Sequence, residues 1–215
     1  MTDPVKRTYQ SRRRADSAEQ TRRLIRDAAA ELFVRQGISA TTMRQVAAAA
    51  GVAERTVYTA FPNKTALFNE VINIATVGDE LPVPVAERPE FTAALTESEP
   101  VRAARQVVDY GSQLLERAGA LVIAAIESSG ADPDMREFCE RGAAATSANL
   151  LTVTQAWHES GLLRDGMDPE RARAILYVLA SPHVHHLLRH DQGWDFGRYR
   201  DWLMATIIQT LLRDA

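Results

Sequence analysis

A chain of 215 residues with 46% hydrophobic content can bury a substantial core in one or two domains, which excludes disorder throughout. Its longest apolar runs, ALVIAAI (120–126) and AILYVLA (174–180), fall far short of the ~20 residues that span a bilayer, and the single cysteine, Cys139, cannot close an internal disulfide. The net charge of -3 conceals a division, because residues 1–64 hold 12 Lys+Arg against 6 Asp+Glu while residues 65–215 hold 13 against 22; a basic head on an acidic body suits a polyanionic partner.

Residues 1–15 form a polar segment with Lys6, Arg7, Arg12, Arg13 and Arg14, expected as a flexible basic arm. No apolar stretch follows SRRR, so no secretory signal is expected and the chain reads as cytoplasmic. Asp16 with Glu19, or Ser17 with Gln20, stand at capping-box spacing. Behind them Leu24, Ile25, Ala28, Ala29, Leu32 and Phe33 make the stripe of an amphipathic helix, and Gly37 offers its stop. A second helix of about two turns is predicted from Thr42 and Gln45, again at capping-box spacing, with Gly51 as the tight exit.

The next stretch, VAERTVYTAFPNK (52–64), is too polar for a core segment and too apolar for a loop. Val57 and Phe61, four apart, can face a pocket left by Val46, Ala47 and Ala50, which turns Arg55, Thr56 and Thr59 outward on a helix too short to be stable alone. An inner face that docks and an outer face offered to a groove is the layout of helix-turn-helix recognition. Pro62 stops this helix, Asn63 can cap the next, and Leu67, Phe68, Val71, Ile72 and Ala75 give that one its apolar side.

Residues Thr21 to Val71, with TRRLIRDAAAELFVRQG, TTMRQVAAAAGV and RTVYTAFPNKTALF in order, resemble the DNA-binding head of the tetracycline-repressor (TetR) family of bacterial transcriptional regulators. The resemblance covers about a quarter of the chain. It implies an all-α protein of about nine helices: a three-helix DNA-binding head over residues 16–64 and a helical effector-binding and dimerisation domain over 65–215. It also implies a homodimer on a double-stranded, palindromic operator and release by a small-molecule effector, with no enzyme activity, cofactor or membrane partner. On the resemblance and on helical geometry, Arg44, Arg55, Thr56 and Thr59 are candidate base readers, and Thr42, Tyr58 and Lys64 candidate phosphate anchors. Two positions depart from the family pattern. Ala60 stands where the family has His or Tyr, and Ala53 stands where it has a capping Ser, which weakens the helix start by about 1 kcal/mol. Glu54 offsets part of that loss at the positive end of the helix, or alternatively accepts from a cytosine amino group in the major groove.

Beyond the head, residues 76–100 carry four prolines and read as a connector or short irregular helices. Helical patterns resume at VRAARQVVDYGSQLLERA, GALVIAAIES, Pro133 to Leu163, Pro169 to about His190, and Phe196 to Leu212. The resemblance assigns the last two to a bundle shared with a second subunit, where Ile175, Leu176, Leu179, Leu203, Ile207, Ile208 and Leu211 can line a seam or an intrachain core. Tyr110, Leu114, Ile123, Glu127, Phe138, Trp157 and Tyr177 are candidate effector-pocket residues, aromatic walls with sparse polar handles, though each also suits a core. His183, His186 and His190 fall on one face of a straight helix and can hold a transition metal or line an interface; no nucleophile or phosphate loop accompanies them. Two further readings are a regulator controlled by a protein partner and a metal-binding helical protein.

Overall fold

The computed structural model describes residues 4–81 and 83–213, with side chains from residue 16 onward. The chain divides into two compact units, Met1–Asn73 and Ile74–Ala215. In the first, α1 (Pro4–Gln36), α2 (Met43–Ala50), α3 (Glu54–Ala60) and the start of α4 (Lys64–Val77) follow one another. The helical backbone thus begins ahead of the Asp16 and Ser17 starts expected from capping-box spacing, and the side chains of the basic arm lie outside the described residues. The head core is Ile25, Ala29, Leu32 and Phe33 from α1, Val46 and Ala47 from α2, Val57 and Phe61 around α3, and Leu67, Phe68, Val71 and Ile72 from α4. Phe33 and Phe68 meet edge to face at 5.8 Å. Leu24, expected in the apolar stripe, is exposed.

The second unit holds α5 (Pro89–Thr96), α6 (Pro100–Ser128), α7 (Pro133–Glu159), α8 (Pro169–Leu179), α9 (Pro182–His186) and α10 (Phe196–Leu211). Five of these six open on a proline at the first helical position, where the missing N–H costs nothing. The residue before four of the five caps the helix: Glu99, Asp132, Asp168 and Ser181 each accept from an amide of the first turn, as Asp195 does for α10. Among the described residues the fold is all-α, with an isolated antiparallel bridge between Leu163 and Leu212. Arg164 N donates to Leu211 O (3.0 Å) and Arg213 N to Leu162 O (2.9 Å), fastening the end of α10 to the loop ahead of α8.

Two helix boundaries differ from the sequence pattern. Helix α6 runs unbroken through Gly119, expected as a start, because this buried glycine faces His185: a Cβ there would stand 3.3 Å from its Nδ1. The helix from Pro169 to His190 is instead two, interrupted at Ala180 and restarted by Ser181 and Pro182, after which Leu187–Asp191 continue as a π-helical turn. Hence ten helices are present among the described residues where about nine were expected.

The core of this unit joins Ala103, Ala104 and Val108 of α6 to Val153 and Trp157 of α7, Ala172 and Leu176 of α8, and Tyr199, Leu203, Ile207 and Leu211 of α10. Leu176, Leu203, Ile207 and Leu211, offered above for a seam or a core, are therefore core. Ile175, Leu179 and Ile208 remain half-buried, and Val178 is 59% exposed. No described helix is long and apolar enough to cross a membrane.

Candidate functional site

The head builds its site on α2 and α3. Thr42 Oγ1 accepts from Gln45 N (3.2 Å) and Gln45 Oε1 accepts from Thr42 N (2.8 Å), the reciprocal pair expected from their spacing. Thr42 Oγ1 also lies 2.9 Å from Gln45 Oε1, so its hydroxyl proton is directed at its own capping partner. At the other end Gly51 takes φ 67°, a left-handed conformation that glycine adopts without a Cβ clash, and Val52 N donates to Ala47 O at 3.0 Å. Helix α3 then begins at Ala53 with no side-chain cap, and Glu54 supplies the acid of its first turn. Val57 and Phe61 are fully buried, which fixes the rotation of the helix. Arg55 and Thr59 are exposed, Tyr58 is 49% exposed and Thr56 half-buried. Thr59 Oγ1 donates to Arg55 O at 2.8 Å, leaving its lone pairs outward. Arg44 is exposed on α2, and neither it nor Arg55 makes an ion pair among the described residues.

A second group of residues, not singled out in the sequence, supports α3 from behind. Arg22 of α1 lies over the Phe61 ring at 4.1 Å, donates from Nη1 to Ala60 O at 2.7 Å, and grips Glu70 of α4 with Nε at 2.6 Å and with Nη2. Arg26 holds the same carboxylate at 2.9 Å and reaches Glu19 at 3.2 Å. Burial of Glu70 alone would raise its pKa, but hydrogen bonds from Arg22 and Arg26 outweigh that and hold it below its usual value. The Glu70 contact in turn raises Arg22. Lys64 donates from Nζ to Ile38 O at 2.7 Å. Its ammonium is thus engaged in part by the turn after α1, with donors left over for an anion.

In the second unit the seven candidate pocket residues separate. Trp157 is core, with Nε1 buried and unpartnered. Tyr110 is half-buried, edge to face with Phe91 at 6.5 Å, and burial raises its pKa. Leu114, Phe138 and Tyr177 are half-buried. Ile123 and Glu127 of α6 do share a site, a cleft of about 380 Å³ whose other walls are Ile126, His183, His186, Leu187 and Asp191.

Within the histidine row, His186 and His190 stack at 4.7 Å and His183 is exposed. Among the described residues no three His, Cys, Asp or Glu side chains are grouped to hold a metal. The histidine that the row omitted is the structural one. His185 is 4% exposed, its Nε2 3.2 Å from Glu116 Oε2 and its ring edge-on to Tyr199 at 4.9 Å. Arg189 closes the group with Nε and Nη2 on Glu116 at 3.0 and 2.5 Å. Burial lowers the pKa of His185 against the opposing pull of Glu116. The Arg189 hydrogen bond leads in lowering that of Glu116, and burial pushes Tyr199 up to about 12. Glu116 of α6, 69 residues away, and Tyr199 of α10 distinguish His185 from its neighbours, and spacing within α9 carries no trace of either.

A capped short helix, a left-handed glycine turn and a second short helix seated on two apolar side chains with an arginine facing outward define the helix-turn-helix class. Residues 25–71 match the family model described as bacterial regulatory proteins, tetR family. The chain is 29% identical over 180 residues to the HTH-type transcriptional regulator SrpR of Pseudomonas putida, a match covering 84% of this chain and 65% of SrpR, so it spans a little under two thirds of that relative. It is 27% identical to the uncharacterized HTH-type transcriptional regulator TtgW, also of Pseudomonas putida, over 78% of this chain and 98% of TtgW. Among solved structures, NalD of Pseudomonas aeruginosa, the secondary repressor of the MexAB-OprM multidrug efflux pump, superposes with a TM-score of 0.70 at 27% identity, covering 93% of this chain and 100% of NalD.

Proposed function

We propose that the protein is a dimeric repressor that holds a palindromic operator with two copies of α3 and releases it when a small molecule occupies the second unit. The observation that carries this reading is the rotation of α3. With Val57 and Phe61 buried, Arg55 and Thr59 face outward, and Arg44 stands exposed on α2. Arg55 and Arg44 have the reach and the paired donors to read guanine, Thr56 the hydroxyl to read either base of a pair, and Thr59 the lone pairs to accept from a base amino group. Tyr58, the remaining Lys64 donors and the amides at the helix starts serve phosphates, and Thr42 joins them by turning its hydroxyl from Gln45 Oε1 to a phosphate oxygen. One head offers few contacts, so two heads spaced by one turn of DNA are needed for useful specificity. Ile175 and Val178 of α8 with Met204 and Ile208 of α10 keep apolar surface uncovered within the chain, which supports pairing of these helices with a second copy. The repressor named NalD, alike over nearly its whole length, supports the sign of regulation.

A gel-shift titration against DNA from upstream of the protein's own gene tests the reading. Arg55→Ala is expected to lower operator affinity at least ~30-fold, because the ~1–3 kcal/mol of one base contact is lost in each of two heads, ~2–6 kcal/mol in all, while helical content stays unchanged. Absence of a retarded species with the folded wild-type protein at low salt would overturn it.

A further inference from the structure

The cleft between α6 and α9 has a lining of definite chemistry. Its volume of about 380 Å³ falls within the range of small-molecule sites, ~300–1,000 Å³. Three aliphatic side chains, Ile123, Ile126 and Leu187, stand beside two carboxylates, Glu127 and Asp191, and two imidazoles, His183 and His186. Among the described residues no lysine or arginine lines it. The arginine closest in sequence, Arg189, is committed to Glu116 and to Trp194 O, so its charge is compensated elsewhere.

Three details mark the cleft as a place for a ligand. Leu187 is 49% exposed, a large apolar side chain facing water beside carboxylates. His186 Nδ1 is buried with no hydrogen-bond partner, and its Nε2 stands 3.9 Å from Asp191 Oδ1, too far to bond. The floor at Leu187–Asp191 is a π-helical turn, a costly distortion that recurs at functional sites.

We infer that this cleft binds an apolar molecule carrying one amine or quaternary ammonium group. The ammonium is held by Glu127 and Asp191, and the hydrocarbon part lies on Ile123, Ile126 and Leu187. An anion meets two carboxylates with no compensating cation, and a neutral apolar molecule leaves both carboxylates partly desolvated without a partner. The inference rests on reading the second unit as an effector domain and assigns that effector its charge and its place.

Thermal-shift and calorimetric titrations of the full-length protein with octyltrimethylammonium, octanol and octyl sulfate test it. Saturable binding of the ammonium, with a rise in Tm by mass action, at least tenfold tighter than the alcohol and with no response to the sulfate, is the expected result. Glu127→Gln with Asp191→Asn should weaken the ammonium at least tenfold. Both side chains are exposed, so helical content and DNA retardation without ligand should not change. Leu187→Trp, also at an exposed position, should block the cleft and abolish binding. Equal binding of ammonium and alcohol overturns the charge assignment, and undiminished ammonium binding in both variants overturns the location. A wild type that binds the ammonium as described but retards no DNA refutes the repressor reading and leaves the cleft assignment standing.

Discussion

Replacing Arg22 by methionine removes three contacts at once while keeping most of the side-chain volume: the paired grip on Glu70, the hydrogen bond to Ala60 O and the cation over Phe61. A hydrogen bond involving a charged group contributes about 1.5–3 kcal/mol and a partly exposed cation–π contact about 0.5–1 kcal/mol. The Arg22 side chain is 33% exposed, which screens the ion pair, and Arg26 still holds Glu70 in the variant. The net loss is therefore about 2 kcal/mol, roughly 30-fold in the folding equilibrium of the head, read by urea denaturation of wild type and variant. A double-mutant cycle with Glu70→Gln should give a coupling of about 1 kcal/mol. The same variant separates support from DNA contact. Arg22 faces the end of α3 rather than a phosphate, so operator affinity should fall while the slope of log K against log salt stays unchanged; a phosphate anchor would lower that slope by about one unit per head. A variant within about 0.5 kcal/mol of wild type, the range of a featureless surface change, or one with a shallower salt slope, would refute the reasoning.

Other expected outcomes follow from single features. Ala53→Ser gives α3 the side-chain cap it lacks and should stabilise the head by about 1 kcal/mol in the same denaturation assay. Gly119→Ala gains about 1 kcal/mol of helix propensity, but its Cβ would press on His185 Nδ1 at 3.3 Å, and His185, fixed between Glu116 and Tyr199, cannot give way. The balance should be a loss of about 1 kcal/mol, with a lower Tm. His185 and Glu116 both have lowered folded-state pKa values, so each binds fewer protons folded than unfolded. Their contribution is full above the unfolded pKa values, about 6.5 for His and 4.3 for Glu, and is lost as pH falls, first below pH ~6.5 for His185. The wild-type Tm should thus drop between about pH 7 and 5 by more than that of His185→Gln, and parallel curves would show that His185 does not titrate with folding.

The head was legible because its signals are local. Thr42 and Gln45 cap at the spacing that names them, Gly51 takes the left-handed turn, and Val57 and Phe61 are four apart for the same reason that they are both buried. In the second unit the helix starts were equally local, an acid or serine before a proline, and the four such pairs all open helices, although the reading of one helix from Pro169 to His190 passed over the pair Ser181 and Pro182. What spacing could not carry was any feature decided by a distant partner. Gly119 reads as a boundary because its value lies in making room for His185, and His185 escapes notice because Glu116 and Tyr199 are what distinguish it from His183, His186 and His190. The cleft was half legible: Ile123 and Glu127 stand out on α6, but Leu187 and Asp191 lie in the π-helical turn, which no periodicity announces. Trp157, a pocket candidate for its chemistry, is core.

The pair of backbone bonds joining residues 162–164 to residues 211–213 closes a ring through α8, α9 and α10. The last turn of a helix ordinarily frays, so its amides exchange with solvent early. Here the last described turn cannot peel away without also releasing the loop that feeds α8. The amides of Arg164 and Arg213 should therefore exchange at the rate of global opening of the unit, and a second subunit laid against α8 and α10 would meet a surface that yields as a single piece.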